Sequence, residues 1–184
     1  WSSDVCSSDL SLKEIREIIF DLRPMSLDDL GLVPTLEQYT AKFTKDTGID
    51  VILNLYDRNI DIDPVIEVAV FRIVQEALNN IKKHSQASRC IINLAIEGDF
   101  LIAKIADNGI GFDIQEIKDS KHPSSYDSGF GISNMKQRAE LLKGILTIQS
   151  KQGSGTVIAL KVPLFDQNEF AEEEYDGRDK GYDC

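Results

Sequence analysis

The sequence holds no uninterrupted apolar run of roughly 18 residues, the length at which a helix begins to cross the hydrocarbon core of a bilayer. It is also poor in cysteine, with Cys6, Cys90 and Cys184 far apart and odd in number. That spacing suits neither a disulfide framework nor a zinc site and leads to an expectation of reduced thiols in a cytoplasm. Basic residues are outnumbered, 20 Lys and Arg against 31 Asp and Glu, for a formal net charge of -11. A nucleic-acid surface needs a clustered basic excess to neutralise phosphates, so that partner class is disfavoured, and no membrane contact is expected either. A single nucleotide is not excluded, because a bound cation, a few donors and a helix end outweigh total charge. No basic start followed by an apolar stretch marks a secretory signal. Histidine is scarce too: only His84 and His122 occur.

What is present fits one main core, since 184 residues with 42% hydrophobic and 28% charged side chains match an ordinary soluble domain with an attached helix. Residues 1–10, WSSDVCSSDL, repeat Ser-Ser-Asp without periodicity and are expected to be a non-native or disordered leader. From Leu12, the residues Leu12, Ile15, Ile18, Ile19 and Leu22 keep helical spacing until Pro24 ends the pattern. This narrow stripe suits a partner helix and makes 11–24 a candidate remnant of a dimerising pair. The domain proper is expected over 25–164. Helical patterns cover Thr35 to Lys45, Pro64 to about Lys83 and about Ile132 to Lys143. Strand patterns cover Ile49 to Leu55, Cys90 to Glu97, Phe100 to Ala106, Ile145 to Ser150 and Thr156 to Val162. Asp63 reads as the cap and Pro64 as the first residue of the central helix. The polar stretch after Asp113, IQEIKDSKHPSSYDS, is long for a connection and is expected to act as a lid. The tail 165–184, with AEEEYDGRD, reads as an acidic, disordered extension.

Four motifs suggest chemistry. On the central helix Val70, Val74, Ala77, Leu78 and Ile81 mark the core face, while Arg72, Glu76, Asn80 and Lys83 align a base, an acid, an amide and a second base. Asn79 and Asn80 are poor helix formers, so another interaction must account for them; a magnesium ion taking the Asn80 carbonyl and phosphate oxygens is one candidate. Glu76, a turn away, is placed to orient a nucleophile. At the end of a strand, Asp107-Asn108-Gly109-Ile110-Gly111 offers a carboxylate able to accept an adenine amino group, and Gly109 and Gly111 permit close approach and positive backbone angles. Gly129-Phe130-Gly131 is expected to open a helix with amides suited to phosphates. Gly153-Ser154-Gly155-Thr156 reads alone as a hairpin turn. No GxxxxGK followed by Ser or Thr occurs, and Gly129 is not immediately preceded by an apolar strand, so any nucleotide site is neither a P-loop nor a Rossmann fold.

ExxxN on a helix, DNGxG after a strand, GxG before a helix and GxGT in a hairpin, in this order, resemble the N, G1, G2 and G3 boxes of the histidine kinase catalytic domain, within the superfamily shared with gyrase-type ATPases. The match runs from about Leu12 to Leu164, and DLRPMSLDDLGL with QEALNNIKKH looks most like the DegS and nitrate-sensor subclass. The resemblance implies an α/β sandwich: a mixed sheet covered on one face by helices, with ATP between them under a lid and a dimerisation-type helix before it. By family analogy Asn80 ligates magnesium, Glu76 polarises the acceptor and Asp107 binds adenine. Gly109, Gly111, Gly129 and Gly131 shape the pocket, Asn79 and His84 belong to the nucleotide-binding residues, Lys83 faces phosphate and Thr156 lies near the base. The implied reaction moves the ATP γ-phosphoryl group to a histidine nitrogen and on to a response regulator with a helix-turn-helix domain, within a homodimer. The family's acceptor histidine sits on a helix before Leu12, so this chain alone is expected not to autophosphorylate. A non-catalytic ATP-sensing scaffold and a serine kinase or ATPase of the same superfamily are the alternatives.

Overall fold

The computed structural model describes residues 25–55, 62–113 and 126–164. The expected leader, the Leu12 to Leu22 helix and the acidic tail lie outside the described residues, as does most of the polar stretch after Asp113. Among the described residues five strands form one mixed sheet in the order β1-β2-β3-β5-β4. They are β1 (Asp50–Asn54), β2 (Arg89–Glu97), β3 (Phe100–Asp107), β4 (Ile145–Ser150) and β5 (Thr156–Pro163). β1 and β2 are parallel and the other pairs antiparallel. The helices among the described residues are α1 (Met25–Leu30), α2 (Leu32–Thr47), α3 (Pro64–Asn80) and α4 (Tyr126–Leu141), and a π-turn, Ile81–Ser85, extends α3.

Side chains alternate across a strand, so every second residue of β2, β3 and β5 shares a face. Cys90, Ile92 and Leu94 on β2, Leu101, Ala103 and Ile105 on β3, and Ile158, Leu160 and Val162 on β5 are all buried there. The register lines them in rows, Ile92 beside Ile105 beside Ile158 and Leu94 beside Ala103 beside Leu160. Lys104 and Lys161 take the exposed, opposite face. The helices close the buried face: Val70, Val74, Ala77 and Leu78 of α3 and Leu36 of α2 are wholly enclosed. Truncating such a residue, Leu78→Ala for instance, costs about 2–5 kcal/mol because the cavity relaxes only in part. The α/β sandwich with helices on one face is therefore the architecture observed.

Local signals explain the start of α3. Pro64 needs no backbone donor in the first turn, and the Asp63 carboxylate accepts from Val65 N at 2.6 Å, satisfying an N–H that the helix itself leaves open. Two boundaries depart from expectation. The segment MSLDDL forms α1, where no helix was read. Helix α4 begins at Tyr126, before the expected Ile132, so Gly129 and Gly131 lie inside it instead of opening it. An internal glycine costs a helix about 1 kcal/mol relative to alanine; at Gly131 the packing against α3 described below offsets it.

Candidate functional site

The site forms where the turn after β3, the π-turn after α3 and the β4–β5 hairpin loop are pinned together. Ile110 N donates to Ser85 O at 2.8 Å, and Gly153 N donates to Ile110 O at 2.6 Å. Phe112 N donates to Ser150 Oγ at 2.9 Å, and Ser150 Oγ stands 3.0 Å from Thr156 Oγ1. Asn108 serves as a staple: its Oδ1 accepts from Ser88 N and Arg89 N at 3.1 and 3.0 Å, and its Nδ2 donates to Ser88 Oγ at 2.9 Å.

These contacts leave no room for side chains at three glycines. A Cβ on Gly111 would strike Lys151 O, and one on Gly155 would strike Asp107 O. Both residues also hold left-handed angles, φ 59° and 74°, which L side chains adopt only with strain. Gly109 was expected to share this conformation but does not; it is constrained by contact with the Ser85 backbone.

Beside this junction lies a cavity of about 320 Å³, within the roughly 300–1,000 Å³ range of ligand pockets. Ala77, Ile81, Ile105, Phe112, Ile132, Met135, Ile148 and Ile158 give it apolar walls; Asn80, His84, Ser85, Asp107 and Thr156 supply the polar groups, with Gly111 at the rim. Asp107 Oδ1 accepts from Gly109 N at 2.8 Å, and the carboxyl also accepts from Thr156 N. Burial nevertheless dominates and holds the Asp107 carboxyl above its usual range, the two backbone donors opposing the shift. Behind it the Cys90 thiol is pushed up to about 12 by burial and by the Asp107 charge.

Of the residues singled out in the sequence, Asn80, His84, Asp107, Gly111 and Thr156 meet at this cavity. Gly109 lies behind Asp107. His84, four residues after Asn80, lines the cavity with it, whereas Lys83 on the same π-turn is not part of the lining. Asn79 is half-buried beside the wall-lining Asn80. Glu76 stands one turn before Asn80 against Gly131 of α4, whose added Cβ would meet Glu76 Oε1 and lie 3.5 Å from Asn80 Nδ2. Gly129 is in the first turns of α4. Ser85 and Ser150 were missed: each is a lone serine whose role depends on chain segments far away. The apolar wall was visible only as core periodicity.

Among the described residues no three His, Cys, Asp or Glu side chains converge. The Asn80 carbonyl, half-buried at the cavity wall, is a hard oxygen that fits magnesium held chiefly by ligand oxygens and water.

The site is a largely apolar cavity between a mixed sheet and helices, with the half-buried Asp107 carboxylate and the Asn80 amide in its lining. Residues 65–166 match the family described as histidine kinase-, DNA gyrase B-, and HSP90-like ATPase, and the chain belongs to that family. It is 41% identical over 154 residues to the signal transduction histidine-protein kinase/phosphatase DegS of Brevibacillus brevis, covering 84% of this chain and 38% of that protein. The DegS of Bacillus subtilis (strain 168) is 45% identical over 145 residues, covering 77% and 36%. The sensor histidine kinase LiaS of the same strain is 36% identical over 152 residues, covering 83% and 39%. The chain thus spans less than two fifths of the length of these relatives. The fold resembles that of the blue-light activated histidine kinase of Erythrobacter litoralis EL346, with a TM-score of 0.60 and 18% identity over 75% of this chain and 43% of the other. Among the described residues no helix is long and apolar enough to cross a membrane.

Proposed function

We propose that this chain is the ATP-binding catalytic part of a two-component sensor histidine kinase of the DegS-like subclass, and that it supplies the γ-phosphoryl group to a histidine on a separate helix for relay to a response regulator. The observation that carries this reading is the convergence of Asn80, Asp107, Gly111 and Thr156, from three separate motifs, on one cavity. In this reading adenine enters the apolar slot and its amino group donates to the Asp107 carboxylate, which Gly109 N and Thr156 N hold in place. The phosphates lie toward Asn80, His84 and Lys83, near Gly129 and Gly131 of α4. Asn80 would hold a magnesium ion, which would supply charge compensation at the phosphates. Glu76 orients the acceptor imidazole by accepting its N–H, leaving the other ring nitrogen free to attack. Phosphoryl transfer needs little covalent chemistry from the protein, so positioning and charge stabilisation suffice. The response regulator is of helix-turn-helix type, the protein works as a homodimer, and the setting is cytoplasmic.

The test mixes this chain with γ-labelled ATP, magnesium and a helical fragment bearing the acceptor histidine of a DegS-like relative. Label on that histidine is expected. Binding of ATP without transfer would favour an ATP-sensing scaffold, and label on serine a serine kinase of the same superfamily.

A further inference from the structure

Ser150 is not part of the cavity lining, yet its hydroxyl touches two residues that are, Phe112 and Thr156. The sheet register explains why. Ser150 of β4 pairs with Thr156 of β5, and the β3–β5 pairing, which runs to Ala106 opposite Val157, carries Asp107 alongside Thr156. Cys90 of β2, opposite Asp107, completes a row across the sheet. Two residues along each strand, and so on the same face, Ile105, Ile158 and Ile148 form part of the cavity wall.

A serine hydroxyl has one proton and two lone pairs. Ser150 Oγ lies 2.9 Å from Phe112 N, 3.1 Å from Gly155 O and 3.0 Å from Thr156 Oγ1. Phe112 N can only donate and Gly155 O can only accept, so the first takes a lone pair and the second takes the proton. One lone pair remains, and all three contacts are made together only if the Thr156 hydroxyl donates to it. Thr156 thus spends its proton on Ser150 and keeps only lone pairs for an occupant of the cavity it lines. Ser85, the other hydroxyl in the lining, is spent in the same sense: its Oγ donates to Ile81 O at 2.7 Å and accepts from Ala87 N at 3.0 Å. It belongs to the same end of the cavity, since a Cβ on Gly109 would meet both Ser85 and Asp107 Oδ1. With the Asp107 carboxylate, the side chains at this end offer acceptors and no proton.

We infer that Ser150 is a positioning residue for base specificity: by holding the Thr156 proton it keeps the Asp107 end of the cavity acceptor-only, so that an amino-bearing purine is taken and an oxo-purine refused. This deepens the ATP reading above and rests on it. An oxo-purine would set its oxygen against the Asp107 carboxylate and the Thr156 lone pairs with no side-chain donor to pair it, and an acceptor buried without a partner is what rejects an analogue. Removing the Ser150 hydroxyl releases the Thr156 proton to donate to such an oxygen. Ser150 itself touches neither nucleotide nor acceptor.

The test measures Kd for ATP and for inosine triphosphate by titration calorimetry on the whole chain with magnesium. Wild type is expected to prefer ATP, and Ser150→Ala to lower the ratio of the inosine to the adenosine Kd by about 3- to 10-fold, the range of one neutral hydrogen bond. Ser150→Thr, which keeps the hydroxyl, is expected to keep the wild-type ratio. In a Thr156→Val background, Ser150→Ala should leave the ratio unmoved, because the proton it would release is gone. A merely structural role would weaken both nucleotides together without moving the ratio, and thermal melting checks that each variant folds. Should Ser150→Ala not fold, Ser150→Cys, whose thiol is a weak partner, is read by the same ratio. An unchanged ratio in the folded variant overturns the inference alone, as does an alanine-like ratio in Ser150→Thr or a shift that persists without the Thr156 hydroxyl. If wild type binds ATP no better than inosine triphosphate, or does not bind it, the adenine reading falls and the inference with it.

Discussion

Asp107→Asn separates what this carboxylate does for the fold from what it does for a ligand. In the structure one oxygen accepts from Gly109 N at 2.8 Å, and the carboxyl also accepts from Thr156 N. An asparagine keeps one acceptor and loses the charge. A hydrogen bond between a ligand amino group and a charged acceptor contributes about 1.5–3 kcal/mol, so Mg-ATP affinity is expected to fall by about 10- to 150-fold. Stability should move the other way. The folded-state pKa of Asp107 lies above the ordinary 3.8, so between those values the folded chain binds more protons than the unfolded one, and the penalty for burying the charge is fully present only above the folded value. Asp107→Asn removes that penalty, so the melting temperature at neutral pH is expected to hold or rise, with the gain shrinking as pH falls toward 4. Titration calorimetry with ATP and with a purine nucleotide lacking the amino group reads the binding term; scanning calorimetry reads the stability term. If the wild type binds both nucleotides equally, or if Asp107→Asn binds ATP as tightly as wild type, the assignment of Asp107 to adenine is refuted.

Since only the carboxylate accepts the amino group, ATP affinity is expected to decline on acidification from a higher pH than an ordinary aspartate would give, and a pH series of Kd checks it. Cys90, with a thiol pushed up to about 12, is expected to resist alkylation at pH 8 in the folded chain and to react only after unfolding, as peptide mapping would show. Gly153 and Gly155 are both left-handed, but a Cβ meets nothing at Gly153 and Asp107 O at Gly155. Gly153→Ala should cost about 1–2 kcal/mol of backbone strain, and Gly155→Ala a further 1–3 kcal/mol or so from overpacking together with loss of nucleotide affinity. Glu67→Ala should destabilise by about 1 kcal/mol in urea unfolding, because Glu67 Oε1 accepts from Leu32 N at 3.0 Å and so caps α2 from α3.

The elements themselves were legible because their signals are local. Asp63-Pro64 opened α3 where expected, and alternation in Cys90 to Glu97 and Phe100 to Ala106 reproduced β2 and β3 to within a residue. Periodicity also named the buried face of α3, from Val70 to Ile81. The start of α4 was not legible, because glycine is a local signal for a loop and the reason for Gly131 is the Glu76 carboxylate on another helix. The π-turn at Ile81–Ser85 was likewise hidden, because the apolar period continues to Ile81 and carries no local sign of a wider turn.

Residue types and their order along the chain thus determined the class of chemistry: a carboxylate at a strand end, paired amides on a helix, and glycines where backbone crowds backbone. Tertiary structure alone decided which of them share a space. Ser85 O meeting Ile110 N, Ser150 Oγ meeting Phe112 N and Gly131 packed against Glu76 Oε1 all join residues at least two dozen positions apart. Such contacts depend on how helices seat on the sheet, which no short window of sequence encodes.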